Sequence, residues 1–585
     1  MSQLLQASTV NGAAGRGLTP KVRVCWQLLW CAGIATGLLQ SWAFRHSVRS
    51  DGVSYLDIAR ACSHGDWQSL VNGYWSPLYP FLLGGVFYIV KPSFYWESTI
   101  AHLANFGIFV ISFACFEQFV KMLAQSQRKE SNSPDETERM PEWALWILGD
   151  TLFIYFSLLF IGMDRIQPDL CVAALVYLAA AFLLRIRRGD DRWTTYAGFG
   201  ATLGAAYLAK AIMFPLAFVF LGCALLVRKP LSRAVPRTAL ALVIFLLVSA
   251  PFILALSEQK GRLTFGDVGR IAYAEFVDGA TRHIHWQGEP VGTGIPVHPT
   301  RMLMVSPPLF EFATPPMGTY PPWYDPSYWY EGIVAKFNLR NQLRAVRYTI
   351  EEYAGILPYM SGVFVGFLGM ALFARSDGSF GKGFFKEWPI WVPAAAALGL
   401  YGLVYVEARY VAPFFVLIWM SLFAGLRFPR SSVAQAFVRT LTLAMGLMFG
   451  MGIMWLAGRS LFRALQPLPF VNWQVAEGLR EIGLQPGDRV ASIGFALEGY
   501  WAHLAGLKII AEIPLGGVAS FWTSPAQIQS EAFADFAQAG AKVVVTDQAL
   551  PPGSAEGWQE IGGTGYFAHR LDGIPSVPTK RGTGE

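Results

Sequence analysis

The chain has 585 residues, 53% of them hydrophobic and 15% charged, and a mean hydropathy of +0.37. Soluble domains carry about 25% charged residues, so this composition excludes an ordinary soluble domain and points to a polytopic membrane protein. The net charge of +6 sits in short basic loops and is read as membrane topology, with no nucleic acid among the partners.

Residues 1–20 are small, polar and rich in Gly and Ala, the composition of a disordered segment. Apolar spans follow at roughly 24–44, 98–123, 143–163, 168–186, 194–210, 212–227, 236–257, 354–374, 388–406, 408–426 and 433–457. They predict about eleven transmembrane helices, most near the ~20 residues that cross a bilayer core. The first reads as a retained anchor, since no small-x-small cleavage site follows it. The apolar stretch 77–91 is bracketed by Pro77, Pro80 and Pro92 and reads as a juxtamembrane or half-inserted helix.

Lys and Arg of the short loops set the orientation. With the N-terminus inside, the basic groups Arg16–Arg23, Arg185–Arg192, Arg228–Arg237, Lys382–Lys386 and Arg427–Arg430 all fall on the cytoplasmic side. The exterior then holds 45–97, the loop 258–352 and the tail after 458. The mixed-charge loop 125–142 is a cytoplasmic linker. The loop 258–352, crowded with Pro and aromatic residues as in Tyr320-Pro-Pro-Trp-Tyr-Asp-Pro-Ser-Tyr-Trp-Tyr330, shows no obvious strands; its rings suit either a membrane interface or stacking on sugar faces. In the tail, strand-like runs at 488–494, 507–513 and 541–547 alternate with helix-like stretches at 498–505 and 525–539, which predicts a small α/β accessory domain over 470–573. It has no Gly-x-Gly-x-x-Gly turn. The domain order is therefore 1–20, a membrane domain 21–457, and 470–573.

Ionisable residues at the exterior helix ends are the candidates for chemistry, because a charge there is costly unless it pairs, faces water or reacts. Asp51 opens the amphipathic stretch Asp51-Gly-Val-Ser-Tyr55-Leu-Asp57-Ile-Ala-Arg60; it is either a reacting carboxylate or the N-cap of a helix Val53–Cys62. Asp57 lies about 240° round the helix from Asp51 and reads as an orienting or salt-bridge residue, with Arg60 the suggested partner. Asp164 and Asp169 lie in the next exterior turn, where Asp169 also suits a helix first turn. Lys210, within an apolar region, either snorkels or contacts an anion. Arg409 offers a fork of donors to phosphate, or pairs locally with Glu407; Arg270 and Arg282 are further cations of the long loop. His283-x-His285 and His298 carry no paired Cys or helical Glu motif and read as surface histidines.

The order of these pieces resembles the GT-C superfamily of polytopic glycosyltransferases. The pieces are an anchor, an exterior Asp51 with Tyr55 four residues on, Pro77-Leu-Tyr-Pro80, Gln167-Pro-Asp169, Gly204-Ala-Ala-Tyr-Leu-Ala-Lys210 and Glu407-Ala-Arg-Tyr-Val-Ala-Pro413. Within the superfamily it is similar to the RgtA/B/C/D-like and protein mannosyltransferase-like branch, which includes the lipid A aminoarabinose transferases; the resemblance covers roughly 20–457. It implies transfer of a sugar on the outer face, from a polyprenyl-phosphate-linked donor to a lipid, glycan or protein acceptor, in a bacterial inner membrane. It further implies Asp51 as general base and Asp169 as a second catalytic acid facing the same cavity. Lys210 and Arg409 would hold the departing phosphate, with Tyr55, Asp57 and Asp164 near the substrate. No cofactor is implied; some members use a divalent metal between acidic residues, but the acids here are too sparse to assert one. The aminoarabinose transferases carry a Lys before the prolines where this chain reads Trp75-Ser76-Pro77, so that activity is not implied. Two other readings are a transporter or flippase of a lipid-linked saccharide, which would call for internal repeats, and a non-catalytic assembly factor.

Overall fold

The computed structural model describes residues 20–130, 137–280, 300–312, 317–330, 332–374, 379–466 and 469–572. His283, His285, His298 and Arg282 lie outside these residues, as does the expected disordered segment up to 19. The expected spans are helical, and a further helix, inside the expected loop 258–352, joins them. They are α1 (Pro20–Ala43), α4 (Phe94–Glu130), α5 (Glu142–Phe156, extended by a π-turn Ser157–Ile161), α6 (Asp169–Arg187), α7 (Trp193–Ala209), α8 (Met213–Val227) and α9 (Leu231–Lys260). The series continues with α10 (Leu339–Ile356), α11 (Ser361–Phe373), α12 (Trp388–Gly402), α13 (Ala408–Gly425) and α14 (Ser432–Leu465). Between α1 and α4 lie the amphipathic α2 (Ser50–Ser63) and the apolar α3 (Leu78–Val90). Among the described residues seven helical runs are long and apolar enough to cross a membrane, α10 and α11 counting as one. The protein is a polytopic helical membrane protein.

Aromatic residues fill the bundle core. Phe109, Phe113 and Phe116 of α4 stack on Phe153 of α5 at centroid distances of 5.7, 4.9 and 5.0 Å. Where helices cross more closely, glycine permits it: a Cβ on Gly200 of α7 would lie 2.1 Å from the Ala241 carbonyl oxygen of α9. Polar side chains then pin the turn between α5 and α6. Asn105 donates from Nδ2 to the Arg165 carbonyl at 2.9 Å and accepts the Tyr79 hydroxyl at 2.7 Å, while the His102 ring contacts the carbonyls of Met163 and Ser47 at 2.7 and 2.9 Å. This turn carries Asp164, Arg165 and Gln167.

The C-terminal part is the expected small α/β domain, though larger than the sequence pattern suggests. Among the described residues its sheet has seven strands, in the order β2 (Arg301–Met304), β3 (Leu309–Glu311), β6 (Lys508–Pro514), β5 (Arg489–Gly494), β7 (Val543–Thr546), β9 (Tyr566–Arg570) and β8 (Trp558–Ile561). The predicted strands are β5 (Arg489–Gly494), β6 (Lys508–Pro514) and β7 (Val543–Thr546), with β5 parallel to both neighbours. β8 (Trp558–Ile561) and β9 (Tyr566–Arg570) add an antiparallel edge. The loop 258–352 is not strandless. Its β2 (Arg301–Met304) and β3 (Leu309–Glu311) extend the other edge, β3 pairing with β6. Nor does it run to 352, since α10 begins at Leu339. The remaining strands, β1 (Thr137–Arg139) and β4 (Arg427–Pro429), form a separate ladder between α4–α5 and α13–α14.

Candidate active site

Four helix ends meet at one end of the bundle. α2 begins there, α6 begins, α7 ends and α13 begins, and they bring Asp51, Asp169, Lys210 and Arg409 together. Asp51 is the second residue of α2. The residue in the N-cap position is Arg49 and no side chain caps the helix, so the N-cap reading of Asp51 does not hold. Asp169, the first residue of α6, accepts the Lys210 ammonium at 2.7 Å through Oδ1 and faces Arg409 Nη1 at 3.8 Å through Oδ2. Lys210 is placed by the break between α7 and α8, where its extended backbone turns the chain and its Nζ lies 3.4 Å from the Tyr410 ring centroid. Irregular backbone at this depth is tolerated because protein covers it.

Arg409 is the hub. Its guanidinium donates to Glu407 from Nε (2.6 Å) and Nη2 (3.2 Å), to Gln167 from Nη1, to the Tyr410 hydroxyl at 3.0 Å and to Asp51 Oδ2 at 3.5 Å. The local pair with Glu407 and the role in the cluster, weighed as alternatives from sequence, are thus both present. Arg165 Nη1 reaches Glu407 at 3.5 Å and Asp164 flanks it at 4.0 Å. Gln167 is held by its own bond to the Ile161 carbonyl.

The two candidate acids differ in what surrounds them. Asp169 is 3% exposed and bracketed by cations, whereas the Asp51 side chain is 31% exposed with one weakly placed cation. Burial of the carboxyl pushes the Asp51 pKa up, against the pull of Arg409. A carboxylate of raised basicity can accept a proton, whereas one locked between Lys and Arg is suited to positioning them. Aromatic rings wall the Asp51 side. Tyr55 is buried edge-on to Trp75 and Tyr79 with centroids 5.1 Å away, and Trp75 meets Trp323 at 5.7 Å. The Trp323 carbonyl accepts from Ser54 Oγ at 2.9 Å and Trp75 Nε1 at 3.0 Å, tying the long loop onto α2.

Asp57 stands apart from this cluster, on the other face of α2. Its partner is not Arg60, which bonds Glu97 of α4. Asp57 accepts from Thr319 N (2.6 Å) and Oγ1 (2.8 Å) and from His503 Nδ1 (2.8 Å), and His503 Nε2 meets Glu97 Oε2 at 2.7 Å. A helix fixes such divergence: six residues rotate the side chain away from Asp51 and advance it ~9 Å along the axis. Arg270 faces Asp267 at 3.6 Å, outside both clusters. Sequence reasoning missed Gln167, Arg165 and Tyr410 as members of the cluster. The clue available was Arg165, the one basic residue in the short turn 163–169. It missed His503 and Glu97 altogether. Among the described residues no group of three or more His, Cys, Asp and Glu is placed to hold a metal ion, and the space between Asp51 and Asp169 is taken by a guanidinium.

Neither a family model nor a curated protein sequence matches the chain. Solved structures do show similarity. The Archaeoglobus fulgidus oligosaccharyltransferase, tethered to an acceptor peptide containing the NVT sequon, aligns over 89% of this chain and 68% of its own at 13% identity, with a TM-score of 0.48. The same enzyme in complex with Zn and sulfate gives 0.46. ArnT from Cupriavidus metallidurans bound to undecaprenyl phosphate aligns over 92% of this chain and 97% of its own at 11% identity, with a TM-score of 0.40.

Proposed function

We propose that the protein is a GT-C-type membrane glycosyltransferase. It moves a sugar from a polyprenyl-phosphate-linked donor to a lipid, glycan or protein acceptor at the exterior face of a bacterial inner membrane, its N-terminus cytoplasmic. The observation that carries this reading is the pairing of an accessible carboxylate, Asp51, with a cationic cluster at the mouths of the helices. In the proposed step the acceptor hydroxyl oxygen attacks the anomeric carbon while its proton passes to an Asp51 oxygen. The anomeric C–O bond to phosphate breaks, and polyprenyl phosphate leaves with the electron pair. Lys210, 22% exposed, neutralises the charge that develops on the phosphate. Arg409, 10% exposed and engaged on every side, holds Asp51, Glu407 and Gln167 in place; it meets the phosphate only by exchanging a partner. Attack opposite the leaving group inverts the anomeric centre.

The test is sugar transfer by the purified protein from radiolabelled polyprenyl-phosphate sugars into membrane extracts. Asp51→Asn should lower the rate by about 10²-fold or more with donor binding retained. Lys210→Ala should chiefly weaken use of the donor. Transfer at the native rate by Asp51→Asn would overturn the mechanism.

A further inference from the structure

On the face of α2 turned away from Asp51 lies a cavity of about 620 Å³, within the range of small-molecule sites. Five parts of the chain wall it: α2 and the turn after it, Phe94 at the start of α4, Gln259 near the end of α9, residues 317–328 of the long loop, and His503 with the residues that lead into β6 in the C-terminal domain. These walls are pre-formed. Asn72 donates from Nδ2 to the Tyr324 carbonyl at 2.9 Å and accepts the N–H groups of Tyr74 and Trp75 at 2.9 Å each. Asp66 caps the turn Trp67–Leu70 through the N–H groups of Gln68 and Ser69. Gly318, at φ +62°, lets the loop fold over Tyr324, whose ring a Cβ there would meet at 2.2 Å.

The lining chemistry selects the ligand. Three cations, Arg60, His503 and Lys508, line the cavity with three carboxylates, Asp57, Asp66 and Asp325, and Glu97 behind the wall bonds both Arg60 and His503, so the cavity has no positive excess with which to recruit an anion. The carboxylates are already engaged: Asp57 by Thr319 and His503, Asp66 by two backbone N–H groups, Asp325 by Ser327 N at 3.0 Å. The Lys508 ammonium makes no hydrogen bond or ion pair among the described residues. Gln68 and Gln259 add amides, and the rings of Phe94, Tyr324 and Tyr328 add apolar wall, Phe94 with one face under the Arg60 guanidinium and Tyr328 with one under the Lys260 ammonium, each 3.6 Å from the ring centroid. Aromatic faces set among donors and acceptors of balanced charge suit an uncharged polyhydroxylated molecule, whose C–H face packs on a ring while its hydroxyls bond at the edge.

We infer that this cavity is a second saccharide-binding site, non-catalytic and separated from Asp51 by the width of α2. A sugar in it would touch α2, the long loop and the C-terminal domain together. Its source is either a distal unit of a substrate glycan or a separate saccharide. The inference concerns binding and does not require Asp51 to be a base.

The experiment is saturation-transfer NMR on the full-length protein in detergent, with the methyl glycosides and the β-linked disaccharides of glucose, galactose, mannose and N-acetylglucosamine as probes. At least one should bind saturably to the native protein and equally to Asp51→Asn. Ala61→Trp, which places an indole in the cavity, should weaken that binding about tenfold or more. Lys508→Ala and Gln68→Ala, at side chains that support little else, should weaken it several-fold and cover the case in which Ala61→Trp fails to fold. Competition by a polyprenyl-phosphate-linked oligosaccharide would identify the site's occupant as a distal substrate unit; its absence would identify a separate saccharide. If none of the probes binds, or binding survives all three substitutions undiminished, the inference is overturned. Loss of transfer in Asp51→Asn with probe binding intact bears on the catalytic reading alone.

Discussion

Asp51 and Asp169 both lie within reach of one guanidinium, yet removing their charges should have opposite consequences. Asp169 is the buried partner of Lys210, so Asp169→Asn leaves an ammonium at 22% exposure facing an amide. Breaking a largely buried pair from one side costs about 3 kcal/mol, because the orphaned charge keeps its desolvation penalty. Asp51→Asn leaves Arg409 with Glu407, Gln167 and Tyr410, and the carboxylate it replaces is a third exposed, so the cost should stay within about 1 kcal/mol. Denaturant unfolding in detergent separates the two. A larger loss in Asp51→Asn than in Asp169→Asn would show that the structural and reactive acids have been assigned the wrong way round. Arg409→Lys is a third probe at this scale. One ammonium cannot span Glu407, Gln167 and Asp51 as the planar fork does, so transfer should fall although the charge is kept.

At the scale of elements, α2 decides what the site is, since its two faces serve the acid cluster and the interdomain cavity. It packs against α3, and Gly84 is a point of close approach: a Cβ there would lie 3.0 Å from both the Ala59 carbonyl oxygen and Cys62 Sγ. Gly84→Leu should force the helices apart at about 1–3 kcal/mol and misplace Asp51 against Arg409, with transfer lost in protein that still folds; Gly84→Ala should do much less. Purification yield, unfolding and transfer measured together check this, and native transfer by Gly84→Leu would show that α2 does not need this seat. The membrane helices were legible because lipid forces an unbroken apolar run on any helix that crosses it. α2 was legible as amphipathic, but its start was set three residues late, because the helix begins without a capping side chain to mark it. The strands β2 and β3 were not legible at all. They are short, and what makes them strands is the edge of β6, some two hundred residues further along the chain. The same distinction runs through the site. Asp51, Asp169, Lys210 and Arg409 stand out individually, as charges at the ends of apolar runs. The pairing of Asp57 with His503 does not, because it requires knowing how the C-terminal domain docks.

That docking is the whole-molecule feature with the clearest electrostatic consequence. His503, from the short helix Tyr500–Ala505 of the C-terminal domain, is 1% exposed and wedged between Asp57 of α2 and Glu97 of α4. Both ring nitrogens face carboxylates, so both must carry a proton. Arg60 shares Glu97, Lys508 acts on Asp57 from a longer range, Thr319 donates to Asp57, and the rings of Phe94 and Tyr500 enclose the imidazole. Burial alone would lower the pKa, but the hydrogen bonds and charges of the two acids outweigh it and raise it from 6.5 to about 9. A histidine whose folded pKa exceeds its unfolded one contributes stability that is complete below about 6.5 and is lost as pH rises through about 9. The shift corresponds to something on the order of 3 kcal/mol between these limits, enough to decide whether a domain stays docked. Limited proteolysis of the chain between α14 and the C-terminal domain should therefore be slow at pH 6.5 and accelerate above pH 9. In His503→Gln the cleavage should be fast at pH 6.5 already and its rise with pH should flatten. A native protein whose C-terminal domain is released equally at both pH values, or a His503→Gln variant that keeps the native pH profile, would remove the imidazolium from the docking mechanism.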